Sequence, residues 1–134
     1  MPRYFLFIGP LNHLAHFKKH HFVQQNENHK KRLSELSKGD YVVFYASNIE
    51  GETIKPYRKF MAVGKVTDGK LYTVTTSGKK FHRMKVKFMN YEPVPLVDVI
   101  KKLKFIKNKK YYGLYFISGF RELTKNDYET IVGK

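Results

Sequence analysis

Apolar residues fall in short blocks along the chain, and their spacing predicts strands alternating with small helices. Tyr4 to Ile8 is an unbroken apolar and aromatic run stopped by Gly9-Pro10, a buried strand with a breaker behind it. Asn12 reads as the cap of a helix to about His20, with Leu14 and Phe17 on one side and His13, His16 and His20 on another. Phe22 to Lys30, rich in Gln24, Gln25, Asn26 and Asn28, shows no period and is expected to be a polar loop. Arg32 to Leu36 fits another turn or two of helix ending near Gly39. Tyr41 to Ala46 follows as a central strand, and Asn48 to Lys55, with Gly51 inside it, as a loop.

In the second half, Phe60 to Val66 and Leu71 to Thr75 are expected to pair as a hairpin through Asp68-Gly69, because an Asp-Gly pair tolerates the positive φ of a tight turn. Ser77 to Lys80 reads as a basic loop. His82 to Asn90 alternates strictly, with Met84, Val86 and Phe88 on one face and Arg83, Lys85 and Lys87 on the other. Pro95 opens a helix that turns Leu96, Ile100 and Leu103 inward, while Tyr111 to Phe116 and Phe120 to Leu123 read as extended. Thr124 and Asp127 form a capping box for a last helix ending at Gly133. Five or six mostly antiparallel strands with short peripheral helices predict one α+β, barrel-like domain over residues 1–134.

Composition changes the picture at one point. A chain that is 42% hydrophobic and 16% aromatic folds, yet 26 Lys and Arg against 11 Asp and Glu leave a net charge of +15. Such a surplus stores self-repulsion that a polyanion would relieve. With no cysteine there is no disulfide framework and no thiolate chemistry, which suits a reducing cytoplasm. The longest apolar run, Tyr41 to Ala46, is far short of the ~20 residues a spanning helix needs. The run after Met1-Pro2-Arg3 is likewise shorter than the ~7–15 residues of a signal peptide's apolar core, so a cytoplasmic protein is expected.

Motifs for catalysis are scarce: there is no G-x-S-x-G, P-loop, G-x-G-x-x-G or H-E-x-x-H, and the close carboxylate pair Glu50 and Glu52 lies in a loop. His13, His16 and His20 share a helical face, but without Cys or a carboxylate in that helix they read as a polar face, and neither a metal nor another cofactor is expected. His29 and His82 lie near lysines and read as phosphate or base contacts. The strongest local signal is lysine interleaved with aromatics: Lys101, Lys102, Lys104, Lys107, Lys109 and Lys110 around Phe105, Tyr111 and Tyr112. Lysines neutralise phosphates, and aromatic faces stack on unpaired bases. Lys79, Lys80, Arg83, Lys85 and Lys87 make a second basic segment. A membrane surface would instead want a basic helix with a spare apolar face, whereas Leu96 and Ile100 are needed by the barrel.

The order strand, helix, polar segment, Arg32-Leu33-Ser34 to Lys38-Gly39-Asp40-Tyr41-Val42-Val43-Phe44-Tyr45, then Ala62-Val63-Gly64-Lys65-Val66, then Leu103 to Lys110, then Arg121-Glu122-Leu123 before Asp127-Tyr128, resembles the EVE domain of the PUA-like superfamily over essentially the whole chain. The resemblance implies a pseudo-barrel whose cleft receives one nucleotide, often a modified base in DNA or RNA, as in the related YTH readers. By the family's order the cleft residues would be Asn12 and His13, then Phe22, Val23 and Gln24, then Phe81, with Tyr45 nearby. Phosphates would fall to Lys79, Lys80, Arg83, Lys85, Lys87, Lys104, Lys107, Lys109 and Lys110.

One departure stands out: the chain has no tryptophan, which is usual at the relatives' cage, so Phe22 and Phe81 would have to stack the base. Phe22 also fits a staple holding the first helix to the barrel, and Arg121 is expected in a structural salt bridge. Two functions are set against each other: a module holding an unpaired or flipped nucleotide, and a nucleic-acid-processing enzyme like the ASCH relatives. The enzyme would need a convergent acid and base or metal ligands in the cleft; the reader needs aromatics and amides.

Overall fold

The computed structural model describes residues 2–50, 53 and 55–133. Its strands are β1 Tyr4–Pro10, β2 Phe22–Asn26, β3 Tyr41–Ile49, β4 Lys55–Val66, β5 Tyr72–Thr76, β6 Lys79–Phe88, β7 Val94–Pro95 and β8 Phe120–Leu123. Four short helices accompany them, α1 Leu11–His20, α2 Lys30–Ser34, α3 Leu96–Val99 and α4 Lys125–Val132, with 3₁₀ stretches at Glu27–His29, Ile100–Lys102 and Lys109–Phe116. All the strands join one curled sheet in the order β2-β6-β4-β3-β1-β8, with β5 on β6 and β7 on β4. Among the described residues only β1 and β3 run parallel; the other pairs are antiparallel. This is the α+β pseudo-barrel expected, with more strands than the sequence pattern showed.

The central strands are apolar throughout because the sheet is covered on both faces. Phe5, Phe7, Val42, Phe44 and Ala46 point into the barrel with Leu14 and Phe17 of α1, Leu33 of α2, and Met84 and Val86 of β6. The alternate residues Leu6, Val43 and Tyr45 meet Leu96, Leu103, Ile106, Phe116, Leu123, Tyr128 and Ile131 in a second core. Each such side chain contributes about 1.5–3 kcal/mol by leaving water. A bulge in β4 keeps the two sets apart, the partner of Phe44 being Ala62 and that of Tyr45 being Phe60.

In β6 the expected alternation holds: Met84 and Val86 are buried, Phe88 is half-buried in the same core, and Lys85 and Lys87 are exposed. Arg83 is half-buried, its guanidinium lying 4.1 Å above the ring of Phe22. The last helix is capped as expected at both ends, by Thr124 Oγ1 accepting from the Asp127 N–H at 3.1 Å and by a left-handed Gly133. The Asp127 carboxylate does not complete the box. It accepts instead from the backbone N–H groups of Lys104 and Phe105, at 2.7 and 3.0 Å.

Other elements differ from the pattern. The segment read as a polar loop opens with β2, since Phe22 and Val23 are buried and its backbone pairs along Phe81–Lys85 of β6. Asn12 lies inside α1 rather than capping it; Pro10 is the cap, and the Asn12 amide both donates to and accepts from the backbone of Glu50, at 2.8 and 2.9 Å. Pro95 likewise precedes its helix as the cap residue. Asn48 and Ile49 close β3 and Lys55 opens β4, while Gly51 and Glu52 lie outside the described residues. Tyr111 to Phe116 is 3₁₀ rather than extended, its period of three turning Tyr112 and Tyr115 toward the second core.

The expected hairpin forms elsewhere. β5 pairs with β6, not with β4, whose partners beyond Gly64 are Phe88, Lys87 and Val86. The tight turn is Ser77-Gly78, where both residues have positive φ, 53° and 76°, as a two-residue hairpin requires. Asp68 only closes a local turn by accepting from the Lys70 N–H at 2.9 Å. Gly78→Ala should therefore cost about 1–2 kcal/mol, read as a lower urea midpoint at unchanged slope.

Candidate functional site

At the end of β1 the chain turns at Pro10 directly into α1, and residues of these two elements face residues of β2, α2 and β6 across a gap. The gap is a cleft of about 470 Å³. Its floor is the barrel core at Phe7, Leu14 and Phe17; its walls are Ile8, Gly9 and Pro10, then Asn12, His13 and His16 of α1, Gln24, Gln25 and Asn26 of β2, Arg32 of α2 and Phe81 of β6. The walls are thus mostly amide, imidazole and backbone over an apolar base, the character of a site that orients a ligand by a few polar groups.

Hydrogen bonds hold these groups in place. Gln24 Oε1 accepts from Arg83 Nε at 2.7 Å, and Gln25 Nε2 donates to the Gln24 carbonyl at 2.8 Å. Arg32 donates from Nη1 to Gln25 Oε1 at 3.2 Å and from Nη2 to the Ser118 carbonyl. Asn26 Oδ1 accepts from the His29 N–H at 3.1 Å, and His13 Nε2 lies 3.6 Å from a Glu50 carboxylate oxygen. Partial burial lowers the pKa of the Arg32 guanidinium. Desolvation also lowers the pKa of the His16 imidazole, helped by His20, Arg83, Lys19 and His13.

Of the residues expected around a cleft, the structure brings together Asn12, His13, Gln24 and Phe81. Phe22, 5% exposed, packs into the barrel core beside Phe17 and beneath His16, His20 and Arg83, the staple position. Val23 is fully buried on the same strand. Tyr45 belongs to the second core, stacked on Phe116 at 4.4 Å, with burial raising its phenol pKa. None of these three lines the cleft: Phe22 and Val23 on the outer strand β2 and Tyr45 on the central strand β3 are apolar and aromatic side chains that fill the cores first.

The basic residues divide. Lys79 and Lys80 line a groove with Asn26, Glu27, Asn28, Gly78 and Phe81 that continues from the cleft, and Arg83 holds Gln24. Lys85 and Lys87 follow along β6 beside His20, His21 and Tyr72. Lys104, Lys107 and Lys110 are exposed on the segment that packs into the second core through Leu103 and Ile106. Lys109 is half-buried with its ammonium donating to the Leu103 and Ile106 carbonyls, so it braces this segment. His82 is 2% exposed, held between Thr73 Oγ1 at 3.0 Å and Glu27 at 3.2 Å, and is a strut rather than a surface contact. Arg121 takes no salt bridge among the described residues; it lies over Phe105 at 4.8 Å.

Gln25, Asn26, His16 and Arg32 line the cleft without having been singled out. For Gln25 a cue existed in the absence of a period over residues 22–30, since an amide on a short strand facing a cleft is polar where an apolar residue would otherwise stand; His16, Asn26 and Arg32 had none.

A curled mixed sheet with helices on both faces and a cleft beside its first helix is a PUA-like pseudo-barrel. The structure is similar to that of the Mmi1 YTH domain complexed with RNA, at TM-score 0.59 and 14% identity, covering 98% of this chain and 78% of that one. It is similar as well to human THYN1 in complex with 5-methylcytosine-containing DNA, at TM-score 0.55 and 14% identity, covering 98% and 96%. The chain belongs to the EVE domain family, whose sequence model matches residues 3–134. Among its relatives are a UPF0310 protein of Bacillus licheniformis, 32% identical over 83% of this chain and 76% of that protein, and one of Pyrococcus horikoshii, 29% identical over 85% and 86%.

Proposed function

We propose that this protein is a nucleic-acid-binding module whose cleft receives one unpaired or flipped nucleotide, plain or modified, while lysines outside the cleft meet the phosphates. The observation that carries this reading is the cleft wall: Phe81 for stacking, Gln24, Gln25 and Asn26 for base edges, Asn12 tied to the Glu50 backbone beside them, and no carboxylate among the described lining residues. Those are the groups an extruded base needs. The net charge of +15 and the groove carrying Lys79 and Lys80 beside Phe81 support a polymeric anion as the partner. The nucleic acids bound by Mmi1 and THYN1 support the same reading.

A titration of single-stranded and duplex oligonucleotides against salt tests it. With about five phosphates neutralised, log K should fall against log salt with a slope of about −3.5 on single strands and about −4.5 on duplex DNA. Replacing Lys79 and Lys80 together by alanine should flatten the single-strand slope by about 1.4. Replacing Lys107 and Lys110 should flatten it similarly; an unchanged slope there would confine the phosphate contacts to the β6 side.

A further inference from the structure

Arg32 is the guanidinium that enters the cleft, and its donors are only partly used. Of five N–H donors, one on Nη1 goes to Gln25 Oε1 and one on Nη2 to the Ser118 carbonyl. The group pairs with no carboxylate among the described residues, although it is half-buried. A partly desolvated cation with spare donors is an unfavourable arrangement on its own and a favourable one once a ligand supplies acceptors. Its two existing bonds fix the plane of the fork, and so fix which edge of a ligand it can meet. The phosphates have a separate place, since exposed Lys79 and Lys80 stand in the groove that runs out past Phe81.

We propose that Arg32 makes the cleft selective for a nucleobase presenting two adjacent acceptors on one edge, the arrangement of N7 and O6 in guanine. This inference rests on the nucleotide-binding reading and adds to it the chemistry of the preferred base. A planar fork meets that edge bidentately, whereas adenine offers a donor beside N7 and thymine has N3–H between its two oxygens; unpaired cytosine, whose N3 and O2 also adjoin, belongs with guanine in this respect. The loop Ser118-Gly119 is part of the device. A Cβ added at Gly119 would stand 3.1 Å from Arg32 Nη1, on a backbone whose φ of +77° already disfavours a side chain.

The test is equilibrium binding of single-stranded oligonucleotides that carry one test base in an all-thymine background: guanine, hypoxanthine, 7-deazaguanine or adenine. Hypoxanthine keeps both acceptors and 7-deazaguanine loses only N7. The native protein should bind guanine and hypoxanthine about 5- to 150-fold more tightly than the other two. Arg32→Gln should abolish that preference while keeping the salt slope, Arg32→Lys should keep the charge but lose most of the preference, and Gly119→Ala should weaken it. Thermal unfolding of each variant separates loss of fold from loss of selectivity, and the comparison within the native protein needs no variant at all. Equal affinity for guanine and 7-deazaguanine overturns the proposal while leaving nucleotide binding intact. So does a preference that survives in Arg32→Gln, or an Arg32 effect equal for all four bases, which would make the contact a phosphate. No binding of any oligonucleotide overturns both readings.

Discussion

Asp127→Ala is expected to lower the melting temperature by about 10 °C or more, the largest stability effect of any single polar substitution considered. Asp127 is 1% exposed, and its two carboxylate oxygens accept the N–H groups of Lys104 and Phe105. Those two peptides lie between Leu103 and Ile106, both fully buried, so water cannot easily replace the lost acceptor. Each amide left unpaired costs about 1–3 kcal/mol. Asp127→Asn should recover little, since its amide nitrogen would face a second donor. Thr124→Ala removes only the cap at the start of the same helix and should cost about 1 kcal/mol. Parallel urea titrations decide: equal midpoints for the Asp127 and Thr124 variants would mean the carboxylate does not hold this segment.

Phe81→Ala should weaken binding of a preferred oligonucleotide by about 1–3 kcal/mol, roughly 5- to 150-fold, and leave the salt slope intact. Phe81 lies on the rim between the cleft and the lysine groove, half-exposed and outside the barrel core. Stacking is short-ranged and scarcely screened, whereas lysine contacts release counterions, so the two kinds of variant should give opposite signatures. Phe22→Ala is expected to behave differently from either, as a core truncation of about 3–5 kcal/mol in stability. Gln24→Ala should spare affinity more than discrimination, because it removes a base-edge partner and releases Arg83.

How much was legible in the sequence depended on whether a residue's role was local. The alternation of β6, the caps at Thr124 and Gly133, and the Tyr41 strand follow from neighbours a few residues away. The β5–β6 hairpin was missed because Asp68-Gly69 and Ser77-Gly78 both permit positive φ, and only strand pairing 10 or more residues on chooses between them. β2 was missed because its amides face the cleft and hide the strand period. For the site, Asn12, His13, Gln24 and Phe81 were reachable through the family resemblance, which orders segments but not side-chain directions. Phe22 and Val23 lie on β2, whose later residues line the cleft, and Tyr45 on β3, which supplies no described lining residue; all three point into the cores. Arg32 and Asn26 reach the cleft through tertiary contacts that no spacing encodes.

The most direct measurement is backbone-amide NMR mapping of a short single-stranded oligonucleotide onto the protein. The account predicts that the largest shift changes cluster at Gly9, Asn12, His13, Gln24 to Asn26, Arg32 and Phe81, with smaller ones at Lys79 and Lys80. Changes confined to Lys104, Lys107, Lys110 and their neighbours, with the cleft amides unmoved at saturation, would contradict it.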